Sequence, residues 1–190
     1  MNGLYINTSD DLFIKMHPFF DALGETADSY NWLVSEAGPW DAIFSKCSII
    51  TESFDGETYH FIEGSALRKA IADNRIQVMN WGMFCAFPKE KEIKDILDAG
   101  FPKADFNSEL WTNPVRMQNE LSVIEIAALE GTKIQIKSES EEVLAKISGC
   151  YKNAYDLEKY NESVMRKEAP KAKNATSSGA GFFSRLFGGK

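Results

Sequence analysis

The chain lacks the short motifs that usually reveal a metal, cofactor or catalytic site. Its three cysteines, Cys47, Cys85 and Cys150, form no CxxC pair. Its two histidines, His17 and His60, have no metal-ligand spacing with each other or with a cysteine. No glycine-rich phosphate-binding loop is present either. The sequence therefore predicts no cofactor and no metal, and it identifies no catalytic residue.

Signals for export and for a membrane span are also missing. The first residues contain no early basic residue, and Asp10 and Asp11 interrupt their apolar pattern. No apolar run approaches the roughly 20 residues that a membrane-spanning helix needs. We therefore expect a cytoplasmic protein whose three thiols are reduced and mostly buried.

Charge is distributed unevenly along the 190 residues. The chain has 21 basic and 28 acidic residues, a net charge of −7. Residues 166–190 hold six basic side chains and one acidic side chain, a net charge of +5, so residues 1–165 carry the difference, −12. Affinity for nucleic acids comes largely from neutralising phosphates. The acidic body therefore excludes nucleic acid as the expected partner.

The last nine residues form a small apolar cluster with a basic rim. If residues 182–187 become helical, Phe182, Phe183, Leu186 and Phe187 share an arc of roughly 140°, and Arg185 points away. Burying four such side chains stabilises by about 6–12 kcal/mol, and ordering about eight residues costs about 1–2 kcal/mol each. Because the two contributions nearly cancel, the segment should fold only on a surface that adds contacts.

These residues, Phe182, Phe183, Arg185, Leu186 and Phe187, are therefore the predicted partner-binding residues. A protein partner is the main expectation. A weak, reversible contact with an anionic membrane surface is an alternative, as are packing against the tail's own domain and a tail without a role. The sequence leaves the oligomeric state open.

Composition divides the chain into three parts. Residues 1–165 form an acidic globular domain, residues 166–181 a flexible basic linker, and residues 182–190 an amphipathic aromatic tail. The linker has no large apolar residue, and Pro170 stops any preceding helix. A coil of this length reaches about 20 Å.

Strands and helices are interleaved without strict alternation. Strands are predicted at 4–6, 30–34, 48–54, 58–62, 76–87, 121–128 and 132–137, with hairpin turns at Asp55-Gly56 and Glu130-Gly131. Ile134 and Ile136 should face the core, while Lys133, Gln135 and Lys137 face water. We expect an α+β fold, a single domain with an antiparallel or mixed sheet and helices packed on it.

Helices are predicted to begin at capping residues. One starts at Ser9 or Asp10 and runs to Leu23, with a break or kink at Pro18; one starts at Ser65; one covers residues 89–99; and one starts at Ser138 or Ser140. An apolar stripe continues the last helix from Val143 to Leu157, and Gly149 is a point where that helix could divide.

Single residues that could carry chemistry have simpler structural interpretations. His60 lies in a predicted strand and is expected on the sheet surface, and Cys85 is expected to be buried among apolar neighbours. Trp81 is expected in the core. Trp40 and Trp111 are interpreted as core residues, with partner recognition as the alternative.

Several short motifs resemble a family of small, uncharacterised bacterial proteins. They are Tyr30-Asn31-Trp32, the segment from Ala66 to Ile71, Ala86-Phe87-Pro88-Lys89 and, after a hydrophobic hairpin and a charged helix start, Tyr151 to Ala154. The resemblance covers about residues 28–155. It implies a bacterial origin and supports the α+β fold, and it contributes no catalytic residue.

Three functions are compatible with these observations. The first is a non-enzymatic interaction module with an acidic domain and a docking tail. The second is an immunity or antitoxin-type inhibitor whose acidic surface blocks a basic toxin or nuclease. The third is an enzyme with dispersed site residues, which a histidine facing an acid in a polar pocket would support.

Overall fold

One eight-stranded sheet forms the centre of the molecule. The computed structural model describes residues 2–8, 13–151 and 153–168. The strands are β1 (Asn2–Asn7), β2 (Tyr30–Ser35), β3 (Ile50–Phe54), β4 (Glu57–Glu63), β5 (Gly82–Pro88), β6 (Ile124–Leu129), β7 (Lys133–Ser138) and β8 (Ala154–Asp156). Their spatial order is β3-β4-β2-β5-β6-β7-β1-β8, and all neighbours are antiparallel. This confirms the predicted α+β fold.

Seven α-helices accompany the sheet in the described part of the chain. They are α1 (His17–Leu23), α2 (Glu25–Asp28), α3 (Asp41–Phe44), α4 (Gly64–Asp73), α5 (Ile93–Ala99), α6 (Glu141–Ser148) and α7 (Leu157–Glu168). Short 3₁₀ helices cover Gly38–Trp40 and Ser108–Trp111. Among these described residues, no helix has both the length and the apolar character required to cross a bilayer.

The two faces of the sheet are covered differently. On the first face, Trp32, Phe84, Ile126 and Ile136 belong to a large core cluster shared with α1, α4 and α6. On the second face, a smaller cluster joins residues such as Leu33 and Phe87 to α5 and to the irregular segment 101–119. Helix α7 packs beside that segment on β1. The sheet is therefore the middle of three layers.

Both predicted hairpins are confirmed. At the β3–β4 turn, Asp55 and Gly56 have φ angles of 52° and 86°, the left-handed conformation that two-residue hairpin turns favour. The β6–β7 hairpin turns at Glu130-Gly131. These turns were predictable because the residues that set them are adjacent in sequence.

Several predicted element boundaries are wrong; helix α5, for example, begins at Ile93 rather than at residue 89. Helix α1 begins at His17, with Pro18 in its first turn, where the missing N–H costs nothing; residues 9–12 lie outside the described part. Strand β5 begins at Gly82, and Ile76 is 91% exposed. Helix α4 begins at Gly64, so Ser65 is not its cap.

The helix predicted from Ser140 begins where expected, and it ends next to Gly149, the point where the sequence indicated that it could divide. The Ser140 hydroxyl accepts a hydrogen bond from the Val143 N–H at 3.3 Å, and Glu141 and Glu142 occupy the first turn. The helix ends at Ser148, next to Gly149. The apolar stripe therefore continues through strand β8 into α7 rather than through one long helix.

The predicted wet face of β7 is also wrong. Gln135 is 1% exposed and Lys137 is 3% exposed, because segment 101–119 covers this face of the sheet. Lys137 forms an ion pair with Glu125 on the neighbouring strand. Alternating polar residues indicated a two-faced strand correctly, but they did not reveal that a distant segment covers the polar face.

Gly64 marks the closest approach of α4 to the first helices. A Cβ atom at this position would lie 1.8 Å from the Ala27 carbonyl oxygen and 2.8 Å from that of Tyr30. Gly64→Ala should therefore lower the free energy of unfolding by about 3 kcal/mol, the upper end of overpacking costs. Urea unfolding of both proteins measures the difference.

Ser65→Ala is the matched control. Because Ser65 makes no capping hydrogen bond, its loss should change stability by less than about 0.5 kcal/mol. A Gly64→Ala protein as stable as Ser65→Ala would contradict the close packing of α4 on Ala27.

Candidate protein-interaction surface

The predicted partner-binding residues lie outside the described part of the chain. This holds for Phe182, Phe183, Arg185, Leu186 and Phe187, and for most of the predicted linker. The candidate surface described here is therefore built from the folded domain alone.

Phe106 is the most unusual residue of that domain. Its side chain is 100% exposed, and its backbone has a φ of 49°. A bulky residue in the left-handed region is an outlier, since glycine, asparagine and aspartate adopt it at lower cost. Neither the backbone conformation nor the exposed ring contributes to the stability of the fold.

The loop that carries Phe106 is held in place from both sides. The Glu36 carboxylate accepts hydrogen bonds from the backbone N–H groups of Ala104 and Asp105, at 2.5 and 3.1 Å. The Gln118 side-chain oxygen accepts from the Lys103 N–H at 2.9 Å and from the Asn107 side-chain amide at 2.7 Å. Phe106 is thus presented on a preorganised loop.

Glu36 performs this role at an electrostatic cost. Burial raises the pKa of its carboxyl group, and the hydrogen bonds from Ala104 and Asp105 act in the opposite direction. Its own backbone is also left-handed, with a φ of 55°. The loop position therefore depends on a partly desolvated carboxylate on a strained residue.

The β3–β4 hairpin tip adjoins this loop. The rings of Phe54 and Phe101 stack with their centroids 5.1 Å apart, and the Lys103 ammonium lies 3.9 Å from the Asp55 carboxylate. We call residues 52–57 together with residues 101–109 the Phe106 surface. Its exposed aromatic side chains are Phe54 and Phe106, with Phe101 partly exposed between the hairpin and the loop.

Acidic residues surround these aromatics. The Phe106 surface contains five acidic side chains and one basic side chain, a net charge of −4; the acids are Glu52, Asp55, Glu57, Asp105 and Glu109, and the base is Lys103. The Asp55–Lys103 pair is largely exposed and contributes little to stability. The surface combines an apolar anchor with an acidic rim.

His60 is buried, which corrects the prediction that it lies on the sheet surface. Its side chain is 1% exposed, with Nε2 3.0 Å from Asp41 Oδ1 and Nδ1 3.1 Å from Thr51 Oγ1. Ser48 lies nearby, but its hydroxyl donates to the Phe44 carbonyl at 2.7 Å. Both ring nitrogens are engaged and the ring is buried, so the arrangement ties β3, β4 and α3 together inside the fold.

The cysteines and tryptophans are mainly structural. Cys85 is buried, and burial raises the pKa of its thiol, as does the nearby Glu125. Cys150 is exposed, which corrects the prediction of mostly buried thiols. Trp40 is buried and donates to the Val78 carbonyl. Trp81 and Trp111 pack against the smaller core clusters.

Comparison of the chain with protein-family models, with curated proteins and with solved structures found no match. Within the described residues, no group of three or more His, Cys, Asp or Glu side chains is placed to hold a metal ion. The Phe106 surface is therefore interpreted from its own geometry.

Glu36→Ala should loosen the loop without removing Phe106. Loss of a charged acceptor frees the N–H groups of Ala104 and Asp105, and such hydrogen bonds contribute about 1.5–3 kcal/mol. The exchange rates of these two amides should rise at least about tenfold, as measured by hydrogen exchange NMR.

Glu57→Ala is the control, because this nearby carboxylate accepts no hydrogen bond from residues 103–107 in the described structure. Unchanged exchange at both amides in Glu36→Ala would show that Glu36 does not hold the loop.

Proposed function

We propose that this chain is a non-enzymatic, cytoplasmic bacterial protein-interaction module. Its folded domain binds a basic partner protein through the Phe106 surface, and its aromatic tail makes a second, separate contact. The bacterial assignment rests on the family resemblance of the sequence. The observation that carries the proposal is a fully exposed phenylalanine, in a backbone conformation unfavourable to it, on a loop held by side-chain hydrogen bonds.

Physical cost supports this interpretation of Phe106. A non-glycine residue in a sparsely populated backbone region costs of order 1–3 kcal/mol. An exposed ring gains no burial in the free protein, whereas burying it against a partner would contribute about 1.5–3 kcal/mol. Because the loop is already ordered, association would spend little free energy on ordering it. These are the properties of an aromatic anchor residue.

Charge supports a basic partner. A net charge of −4 around the aromatic anchor, on a body of −12, would steer a positively charged surface toward it and repel an acidic one. An immunity or antitoxin-type inhibitor that blocks a basic toxin or nuclease is a narrower form of the same proposal. An enzyme with dispersed residues is less well supported: His60 faces Asp41, but its side chain is 1% exposed and therefore out of reach of a substrate.

Phe106→Asn should separate binding from folding. Asparagine tolerates the left-handed region, so the variant should be as stable as the wild type or up to about 1 kcal/mol more stable. Its affinity for the partner should fall at least about 30-fold, the effect of losing an interface residue worth 2 kcal/mol. Affinity capture from host cells, followed by titration with the purified captured protein at low and high salt, measures this.

Ile76→Asn provides the matched control, because Ile76 is an exposed apolar residue outside the Phe106 surface. The proposal fails if both variants retain the captured protein equally, or if binding is insensitive to salt.

Deletion of residues 180–190 tests the tail independently. We expect the truncated chain to fold normally, to keep the partner of the Phe106 surface and to lose at least one other captured component. The basis is that four apolar side chains at the chain end should be ordered only by an external surface. A set of partners identical to that of the full chain would remove the tail's role.

A further inference from the structure

A polar cavity lies between segment 101–119 and strand β7. Its volume is 420 Å³. It is lined by residues from the stretch 109–118 and by one residue of the sheet: Glu109, Thr112, Asn113, Pro114, Arg116, Met117, Gln118 and Lys137. Two of these eight side chains are basic and one is acidic. The cavity is distinct from the Phe106 surface, although Gln118 and Glu109 belong to the neighbourhood of both.

Lys137 brings a buried positive charge to this cavity. Its ammonium group donates to the Arg116 carbonyl at 2.7 Å and lies 3.4 Å from Glu125 Oε2. A lysine ammonium has three N–H donors, and these are its two acceptors among the described residues. One donor therefore remains for a ligand, on a side chain that is 4% exposed.

Glu125 forms a long ion pair with Lys137. The other carboxylate oxygen, Oε1, accepts from the backbone N–H groups of Gln118 and Asn119 at 2.8 and 3.1 Å and from the Ser122 hydroxyl at 2.9 Å. These three donors already stabilise the negative charge. The long contact to Lys137 leaves the ammonium short of close anionic contacts, which a second carboxylate would supply.

Arg116 adds a second cation to the wall. It is exposed and forms no ion pair with the described residues, although an arginine offers a planar fork that matches a carboxylate. Thr112, which also lines the cavity, is held from α7, where the Asn161 side-chain amide donates to the Thr112 carbonyl at 3.0 Å. Arg116 and Lys137 therefore line a cavity whose backbone is held in position by a hydrogen bond from α7.

We propose that this cavity binds a small organic monocarboxylate, with its carboxylate group held by Lys137 and Arg116. The side chains of Pro114 and Met117 would contact the hydrocarbon part of the ligand. Glu109, which also lines the cavity, repels a second negative charge, which favours a monocarboxylate over a phosphate dianion. Binding of a carboxylate in this cavity does not depend on the proposed role of the Phe106 surface.

Titration of the full chain with sodium benzoate tests the proposal. At constant ionic strength, the amide NMR signals of residues 112–118 should shift in a saturable manner. Arg116→Ala should weaken binding at least about tenfold, because one charged hydrogen-bonding group is lost. Arg75→Ala removes an exposed arginine paired with Asp21 elsewhere, and it should bind benzoate like the wild type.

Benzamide and inorganic phosphate complete the experiment. Benzamide has the same ring without the charge and should not bind, and phosphate should bind more weakly than benzoate. Absence of saturable benzoate binding, equal binding of benzamide, tighter binding of phosphate, or an unchanged affinity in Arg116→Ala would each overturn the proposal. Lys137→Met is a poorer test, since it leaves the buried Glu125 carboxylate without its cation and is expected to destabilise the fold.

Discussion

The Glu125 carboxylate holds the irregular segment 101–119 on the sheet. Three donors from residues 118, 119 and 122 converge on one of its oxygens, and Lys137 faces the other. Asn119, itself fully buried, donates to the carbonyls of Ile96 and Gly100 and so ties the end of α5 to the same point. A segment without regular secondary structure can be buried only if its backbone groups find such partners.

Both candidate sites depend on this attachment. The Phe106 loop precedes the anchored point and is held through Gln118, and the carboxylate-binding cavity is enclosed by residues 109–118 and Lys137. The position of the Phe106 surface therefore depends on the hydrogen bonds of the buried polar groups beneath it.

Local signals in the sequence were sufficient for much of the fold. Asp55-Gly56 and Ser140 act within a few residues of their own position, and they predicted a hairpin and a helix start correctly. Burial of Lys137 was not predictable in this way, because its cover comes from a segment about 20 to 35 residues away. His60 was misplaced for a related reason, since Asp41 at the start of α3, 19 residues earlier in the chain, lies against it in the fold.

The exposure of Phe106 left no local signal either. In sequence it is one more aromatic residue in a segment with two prolines, and only its backbone angle and its full exposure distinguish it from a core residue. The tail is distinct in sequence because a polar linker precedes it. Sequence composition thus predicted a tail whose apolar residues lack a core, but it could not identify Phe106, a residue that the fold itself turns outward.

Gln118 connects the Phe106 loop to the cavity. Its side-chain oxygen holds Lys103 and Asn107, its backbone N–H binds Glu125, and it forms part of the cavity wall. Thermodynamic linkage is reciprocal. A ligand in the cavity that restricts the motion of Gln118 would raise the affinity of the Phe106 loop for its partner. A bound partner would raise the affinity of the cavity for its ligand by the same factor.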